Sequence, residues 1–386
     1  MALKPSSIDF KIQKLPFWKG VLSSPIIETF PFEVSWDDAG FLRQTTESSI
    51  LESIYTAYAN EDYQFISPPP GASQWGNELA QFYFQEFISH CGTANNKHIL
   101  EIGAGNTGFA KLILEKFDIA SYTIIDPAIH DDIDGITIVR DFFPCKQVRE
   151  RSYDLIISLN TIEHVQNPSS FLENLSHLLT SHSMTFISLP DAGSQIMSGD
   201  LSVLLHEHIN YFSIDTFQTL SKRKGLLQKK VTIKNDSIFA SQQLHSTENS
   251  KYSNFPNLRT WEDGMMRLKN VLEGFGAYLE TFGETGSIVF HGATPGLNNF
   301  LYLTNLGNCP NIEITDGDKE KHGNFLPAHS RPITPPYDTL YQDADLIIIS
   351  APSFKEPIES FIRNFVPDSK PIIPLSYDGL TMIKTP

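Results

Sequence analysis

Two spacings of apolar residues alternate along most of this chain. Short β-branched runs at His98 to Leu100, Tyr122 to Ile125, Ile136 to Arg140, Tyr153 to Leu159 and Met184 to Leu189 read as strands, and segments of helical spacing separate several of them. That order predicts an α/β fold, a parallel sheet with helices on both faces. Two more runs, Leu227 to Ile233 and Ser237 to Gln242, close the region after a helix at Asp215 to Lys224 and an insertion at Asp191 to Phe212. A second alternation follows at Ile288 to His291, Ile312 to Thr315, Leu346 to Ser350 and Pro371 to Leu375. It predicts a smaller α/β domain of the same general kind. Upstream, Thr46 to Ala59 reads as an amphipathic helix with Ile50, Leu51, Ile54, Tyr55 and Tyr58 on one face, and Asn77 to Ser89 as another. Ser67-Pro68-Pro69-Pro70-Gly71 is a breaker between them. The boundaries expected are an N-terminal appendage or lid over 1–62, a ligand-binding domain over 63–249, and a linking helix plus substrate domain over 250–386.

The first strand runs into Leu100-Glu101-Ile102-Gly103-Ala104-Gly105-Asn106-Thr107-Gly108 and then into a helix. A strand, a tight glycine turn and a helix N-terminus wrap backbone around a nucleotide-like cofactor. The G-x-G-x-x-G spacing also fits a pyridine dinucleotide. Glu101 tips the reading, because an acid beside the turn repels a pyrophosphate and suits the cationic sulfonium and ammonium of S-adenosylmethionine. Other polar residues fall at the strand ends, where ligands sit in such sheets. Asp126 can accept the ribose hydroxyls. Asp141 can accept from the adenine amino group, with Phe142 to stack on it. Asn160 stands where the methionine part and an acceptor meet.

The net charge of -16 argues against nucleic acid and against an anionic membrane surface. No apolar run has the length to span a bilayer, and the N-terminal residues lack a signal-peptide core. Cys91, Cys145 and Cys309 give neither a disulfide framework nor paired zinc ligands. A cytoplasmic, metal-independent protein acting on a small molecule, alone or as a homodimer, is the expectation.

Candidate chemistry lies in Asn160-Thr161-Ile162-Glu163-His164 and in His206-Glu207-His208, which is followed by Tyr211-Phe212-Ser213. The second lacks the H-E-x-x-H spacing of a helix-borne metal site, so an acid/base pair is preferred, with Glu207 orienting His208. Taken together with Glu101-Ile102-Gly103-Ala104-Gly105, Asp141-Phe142-Phe143 and Gly292-Ala293-Thr294, these segments resemble the sugar C-methyltransferases that act on nucleotide-linked 4-keto-deoxyhexoses. The resemblance spans residues 63–386. It implies a class I methyltransferase Rossmann-like sheet followed by a smaller Rossmann-like domain that helps hold the nucleotide. It also implies S-adenosylmethionine as cofactor and His208 as base, with Glu207 and His164 near the keto-sugar. The base would form an enolate that takes the methyl group, with His164 or Tyr211 stabilising the oxyanion. The sequence departs from the family in three places. Residues 1–90 contain no cysteine for the usual zinc module, Leu205 stands where a tyrosine is usual, and Gly296 stands where a lysine is usual. O- or N-methylation of a small acceptor and a nicotinamide-dependent sugar-nucleotide oxidoreductase are the alternatives.

Overall fold

The computed structural model describes residues 10–37, 40–45, 47–59, 74–130, 132–149, 151–244, 258–283 and 285–384. The chain divides into two compact units. One comprises Ser35–Asp191 and Glu207–Pro256, the other Met1–Val34, Ala192–His206 and Asn257–Pro386. The Ser67 to Gly71 breaker lies outside the described residues.

The chain opens with an antiparallel pair, β1 (Phe10–Pro16) and β2 (Thr29–Trp36), in which Phe10 lies opposite Val34. The first-named unit then takes shape through β3 (Leu42–Gln44), α1 (Ser48–Ala59), α2 (Gln74–Cys91), β4 (His98–Ile102), α3 (Gly108–Lys116), β5 (Ser121–Ile125), β6 (Ile136–Val139), α4 (Lys146–Arg149), β7 (Tyr153–Leu159), α5 (Pro168–His177) and β8 (Leu179–Pro190). After α6 (Ala192–Ser198), which belongs to the other unit, come β9 (Asn210–Tyr211), α7 (Ile214–Arg223), β10 (Leu226–Lys234) and β11 (Ser237–Leu244). Seven of these strands form one sheet in the order β10-β11-β8-β7-β4-β5-β6. The strands from β8 to β6 run parallel, and β11 returns antiparallel between β8 and β10. The chain leaves β4 to one side for β5 and later returns to its other side as β7. Beside β4, therefore, the order reverses, and ligands of such sheets bind beyond the carboxyl ends at that point.

Alternation along β4 explains both faces of this sheet. Leu100 and Ile102 join a core with Ile156, Phe171, Leu172, Phe217 and Leu220, the side covered by α5 and α7. Ile99 joins Phe87, Phe109, Ile113, Tyr122, Leu155 and Phe186, the side covered by α2 and α3. Successive strand side chains point to opposite faces, so a sheet buried on both sides needs near-continuous apolar runs, which the sequence supplies.

In the second unit a long helix, α8 (Leu258–Glu280), precedes β12 (Ile288–His291), α9 (Pro295–Leu303), β13 (Ile312–Thr315), α10 (Asp338–Asp343), β14 (Leu346–Ile349), α11 (Lys355–Arg363), β15 (Ile372–Pro374) and α12 (Tyr377–Lys384). Its sheet is parallel throughout, in the order β13-β12-β14-β15. The expected insertion at Asp191 to Phe212 is divided: Ala192–His206 belongs with this unit and the residues from Glu207 onward with the other.

Candidate active site

Every strand-end residue expected at the cofactor lies on the carboxyl edge of the seven-stranded sheet. Gly103 and Gly105 hold φ of +69° and +65°, backbone that residues with side chains rarely adopt. Gly103 is also packed tight, since a Cβ there would stand 2.5 Å from the Thr161 side chain. The Thr161 hydroxyl in turn donates to backbone carbonyls at the ends of β4 and β7, among them Ile102 at 3.2 Å and Leu159 at 3.1 Å. Asp126 ties the next strand to the turn: Gly105 N donates to its Oδ2 at 2.8 Å and Ala128 N to its Oδ1 at 2.7 Å. Burial raises the Asp126 carboxyl above its ordinary range, and these two bonds oppose that. The Asn106 side chain accepts from Gly108 N at 2.7 Å at the start of α3.

Asp141 accepts from Phe142 N at 2.7 Å, and the Phe142 ring is 55 % exposed with its edge against Tyr55, centroids 5.6 Å apart. It is a flat apolar surface open to a ligand. Asn160 turns the chain sharply after β7 with φ of +47°, a region asparagine tolerates better than most residues. Its amide donates to Tyr83 at 2.9 Å and its carbonyl accepts from Ser188 at 3.2 Å.

Glu101 differs from expectation. It is 1 % exposed, on the α2/α3 side of the sheet, and accepts from the Tyr122 hydroxyl at 2.8 Å. Burial pushes its carboxyl up to about 8, the Tyr122 hydrogen bond working against that and the Asp126 charge with it. At neutral pH it holds a proton, so its charge does not separate a sulfonium ligand from a pyrophosphate. The sequence placed the acid correctly beside the turn, but alternation along β4 points it into the core.

A second group gathers beyond β7. A single helical turn, Ile162–His164, carries Glu163 and His164, and Ile209 N donates to the Glu163 carbonyl at 2.9 Å. The Asn210 amide donates to Val165 O at 2.7 Å. From the other side β3 pairs with β9, Leu42 opposite Tyr211, and the Gln44 amide donates to the His208 carbonyl at 3.0 Å. The segment bearing His208 is thus pinned from both flanks, and its ring lies 5.1 Å from that of His164. His164 Nδ1 meets the Glu207 carbonyl at 2.9 Å, so Nδ1 carries a hydrogen. Burial holds His164 down to about 4, although the backbone carbonyls of Glu207 and Asn160 favour the charged ring. Burial, and then the neighbouring His164, hold His208 well below the ordinary histidine range. Both rings are neutral at neutral pH.

The carboxyl that accompanies these two rings is Glu163, a residue to which sequence reasoning gave no role. It is 2 % exposed, its Oε1 lies 3.7 Å from His164 Nε2, and neither of its oxygens has a hydrogen-bond partner. Burial pushes it up to about 8. One ligand atom from each of Glu163, His164 and His208 lies within 4.8 Å of the others. Glu207 contributes its backbone carbonyl to this group. The sequence triplet itself is split by a turn at His206–Glu207. His206 packs among Phe17, Phe30 and Phe32 in the other unit, with ring centroids 5.7 to 5.9 Å away. Tyr211 is buried in β9.

In the other unit, Gly292-Ala293-Thr294 follows β12 as the first glycine turn follows β4. Gly296 is required there by packing: a Cβ would stand 2.5 Å from Ser202 Oγ and 2.7 Å from Ser202 N. A cation nevertheless reaches this loop, because Lys321 Nζ donates to Ala293 O at 3.2 Å and to Asp316 Oδ2 at 2.8 Å. Leu205, standing where a tyrosine was expected, is buried in the same unit.

Residues 77–227 match the family model described as a methyltransferase domain. The solved structures it is similar to include a complex of the Haloferax volcanii Trm112 methyltransferase activator with a methyltransferase, at 8 % identity, 52 % of this chain, 100 % of that one and a TM-score of 0.40. Another is a Burkholderia thailandensis 1,6-didemethyltoxoflavin-N1-methyltransferase with its substrate and S-adenosylhomocysteine bound, at 13 % identity, 56 % and 96 % coverage and a TM-score of 0.38. A third is an S-adenosylmethionine-dependent methyltransferase from Listeria monocytogenes, at 8 % identity, 44 % and 99 % coverage and a TM-score of 0.36. No curated protein matches the sequence.

The matched segment begins in α2, ends in β10 and contains the glycine turn, Asp126, Asp141, Phe142 and Asn160. Their chemistry suits an adenosine: carboxylates for a diol and an amino group, and an open aromatic face. Residues 77–227 are a methyltransferase domain, and the seven-stranded sheet to which they contribute has the class I methyltransferase fold. Among the described residues no helix is long and apolar enough to cross a membrane.

Proposed function

We propose that this methyltransferase alkylates the carbon next to the ketone of a nucleotide-linked keto-sugar, with His208 as the base. The observation that carries the reading is the seat of His208: in the methyltransferase unit, 5.1 Å from His164, against the turn that follows β7, whose carboxyl end also bears Asn160. S-adenosylmethionine supplies an electrophilic methyl group, and Gly103, Gly105, Asn106, Asp126, Asp141, Phe142 and Asn160 are the residues proposed to hold it. His208, neutral at neutral pH, takes the proton from the carbon, and the electron pair left behind moves toward the ketone oxygen. His164 lies beside it to orient the ring, and Glu207 fixes His164 through its backbone carbonyl. A base of low pKa needs the carbon acid strengthened by stabilisation of the developing oxyanion. Tyr211 is the further candidate for that role.

Incubation in heavy water without the methyl donor should exchange the proton next to the ketone of a bound keto-sugar. Mass spectrometry with the donor should show the added methyl on carbon. His208→Ala should abolish both while S-adenosylhomocysteine still binds. Full exchange in that variant removes His208 as base, and methylation on oxygen or nitrogen replaces the reading. Light scattering on the eluted protein tests the homodimer.

A further inference from the structure

We propose that Glu163, His164 and His208 bind one divalent first-row transition ion of the zinc type. Three features carry this. The ligand atoms are already gathered, all within 4.8 Å of one another, with the Glu163 Oε1 to His164 Nε2 pair at 3.7 Å. A tetrahedral ion with bonds of about 2.1 Å separates its ligand atoms by roughly 3.4 Å. That pair therefore needs only a small contraction.

The second feature is the Glu163 side chain. It is buried to 2 % exposure with both oxygens lacking a hydrogen-bond partner, whereas the buried acids Glu86, Glu101, Asp126, Asp200 and Asp316 each accept bonds. A carboxyl in that position is costly unless something positive meets it.

Third, the Glu207 carbonyl fixes His164 with its hydrogen on Nδ1, the arrangement that metal-binding histidines take from their outer partners. The backbone on either side is held by β3 and by the Ile209 and Asn210 bonds, so the ligands are placed before any ion arrives. Two imidazoles and one carboxylate favour zinc, cobalt or nickel over magnesium or calcium, and three protein ligands leave a position for water or a substrate oxygen.

Ligation occupies a ring nitrogen of His208, so ion and substrate proton compete for that residue. This competition rests on the reading of His208 as a base; the binding of the ion does not.

The test uses the full chain stripped with a chelator and titrated with Co²⁺, with Zn²⁺ as competitor. The expected result is one equivalent of bound Co²⁺ with the visible absorption of a four- or five-coordinate ion, displaced by Zn²⁺. Glu163→Gln, His164→Ala and His208→Ala should each weaken binding by at least about 100-fold, since even outer partners of a ligand account for about 10- to 100-fold. The exposed His182→Ala should bind as the parent does. Retained S-adenosylhomocysteine binding certifies each variant as folded, and His208→Gln replaces His208→Ala, or His164→Gln replaces His164→Ala, where the alanine variant fails. Absence of stoichiometric Co²⁺, or binding that survives in Glu163→Gln and His208→Ala, overturns the site. Zn²⁺ should also suppress the heavy-water exchange and a chelator restore it; exchange unaffected by bound Zn²⁺ overturns the competition. No exchange even in stripped protein counts against the base alone, because the cobalt titration decides the site by itself.

Discussion

At the scale of single residues, the cofactor edge depends on Asp126. Its two oxygens receive the backbone N–H groups of Gly105 and Ala128, so one side chain fixes the glycine turn of one strand and the loop of the next. Charge-assisted bonds of this kind are worth about 1.5–3 kcal/mol each. Asp126→Asn presents an amide to one of those donors, and S-adenosylhomocysteine should bind about 10- to 100-fold more weakly by calorimetry. An unchanged affinity would show that the turn holds its form without this carboxylate. Glu163 and Glu101 show the limit of reading a residue from its neighbours in sequence. Both are acids beside the expected site, and both face inward.

At the scale of elements, the two units reach the same solution twice. Asp126 follows the strand beside β4 and accepts from Gly105 N with one oxygen and from the residue two further on with the other. Asp316 follows the strand beside β12 and accepts from Ala293 N at 2.7 Å and from Asp318 N at 2.8 Å in the same pattern. A strand-end aspartate holding the adjacent loop is therefore a property of this strand–loop–helix–strand plan, and a ligand role has to be argued beyond it. The second loop differs in what packs on it. Ser202 leaves no room at Gly296, so Gly296→Ala should cost about 1–3 kcal/mol from overpacking, read as a lower melting temperature. An unchanged melting temperature would mean that the segment Leu201–Val203 gives way freely. The turn at His206–Glu207 acts at this scale as well, sending one histidine to an aromatic cage and the other to His164.

For the whole molecule, buried titratable groups set a narrow range of pH for stability. Burial, foremost, holds His90 and His291 down to about 4 from 6.5, so on acidification the unfolded chain takes up protons that the folded one refuses. Stability therefore falls as pH drops from about 6.5 toward 4. Burial raises Glu101 from 4.5 to about 8, so between those values the folded state keeps a proton that the unfolded state has lost, and stability falls as pH rises. The melting temperature should peak at roughly pH 6–7 and decline on both sides. Glu101→Gln should make the alkaline limb shallower, Glu163 with the same shift keeping part of it, and a melting temperature rising steadily to pH 8 would contradict the account.

The strands of the seven-stranded and the smaller parallel sheet, their order along the chain and the polar residues at their ends were legible in the sequence because they are local, whereas β1, β2, β3 and β9 were not read as strands. An apolar run bounded by glycine or aspartate reports a buried strand and its exit whatever surrounds it. The four strands of the smaller sheet were read to within a residue at each end for the same reason. The return of β11 between β8 and β10, the face to which Glu101 points, and the company of His208 depend on contacts between distant segments. No local spacing encodes that β3 and the turn after β7 grip the residues around His208 from opposite sides. That grip, made of hydrogen bonds from side chains to backbone carbonyls more than 40 residues away in the chain, is what turns separate acids and histidines into one site.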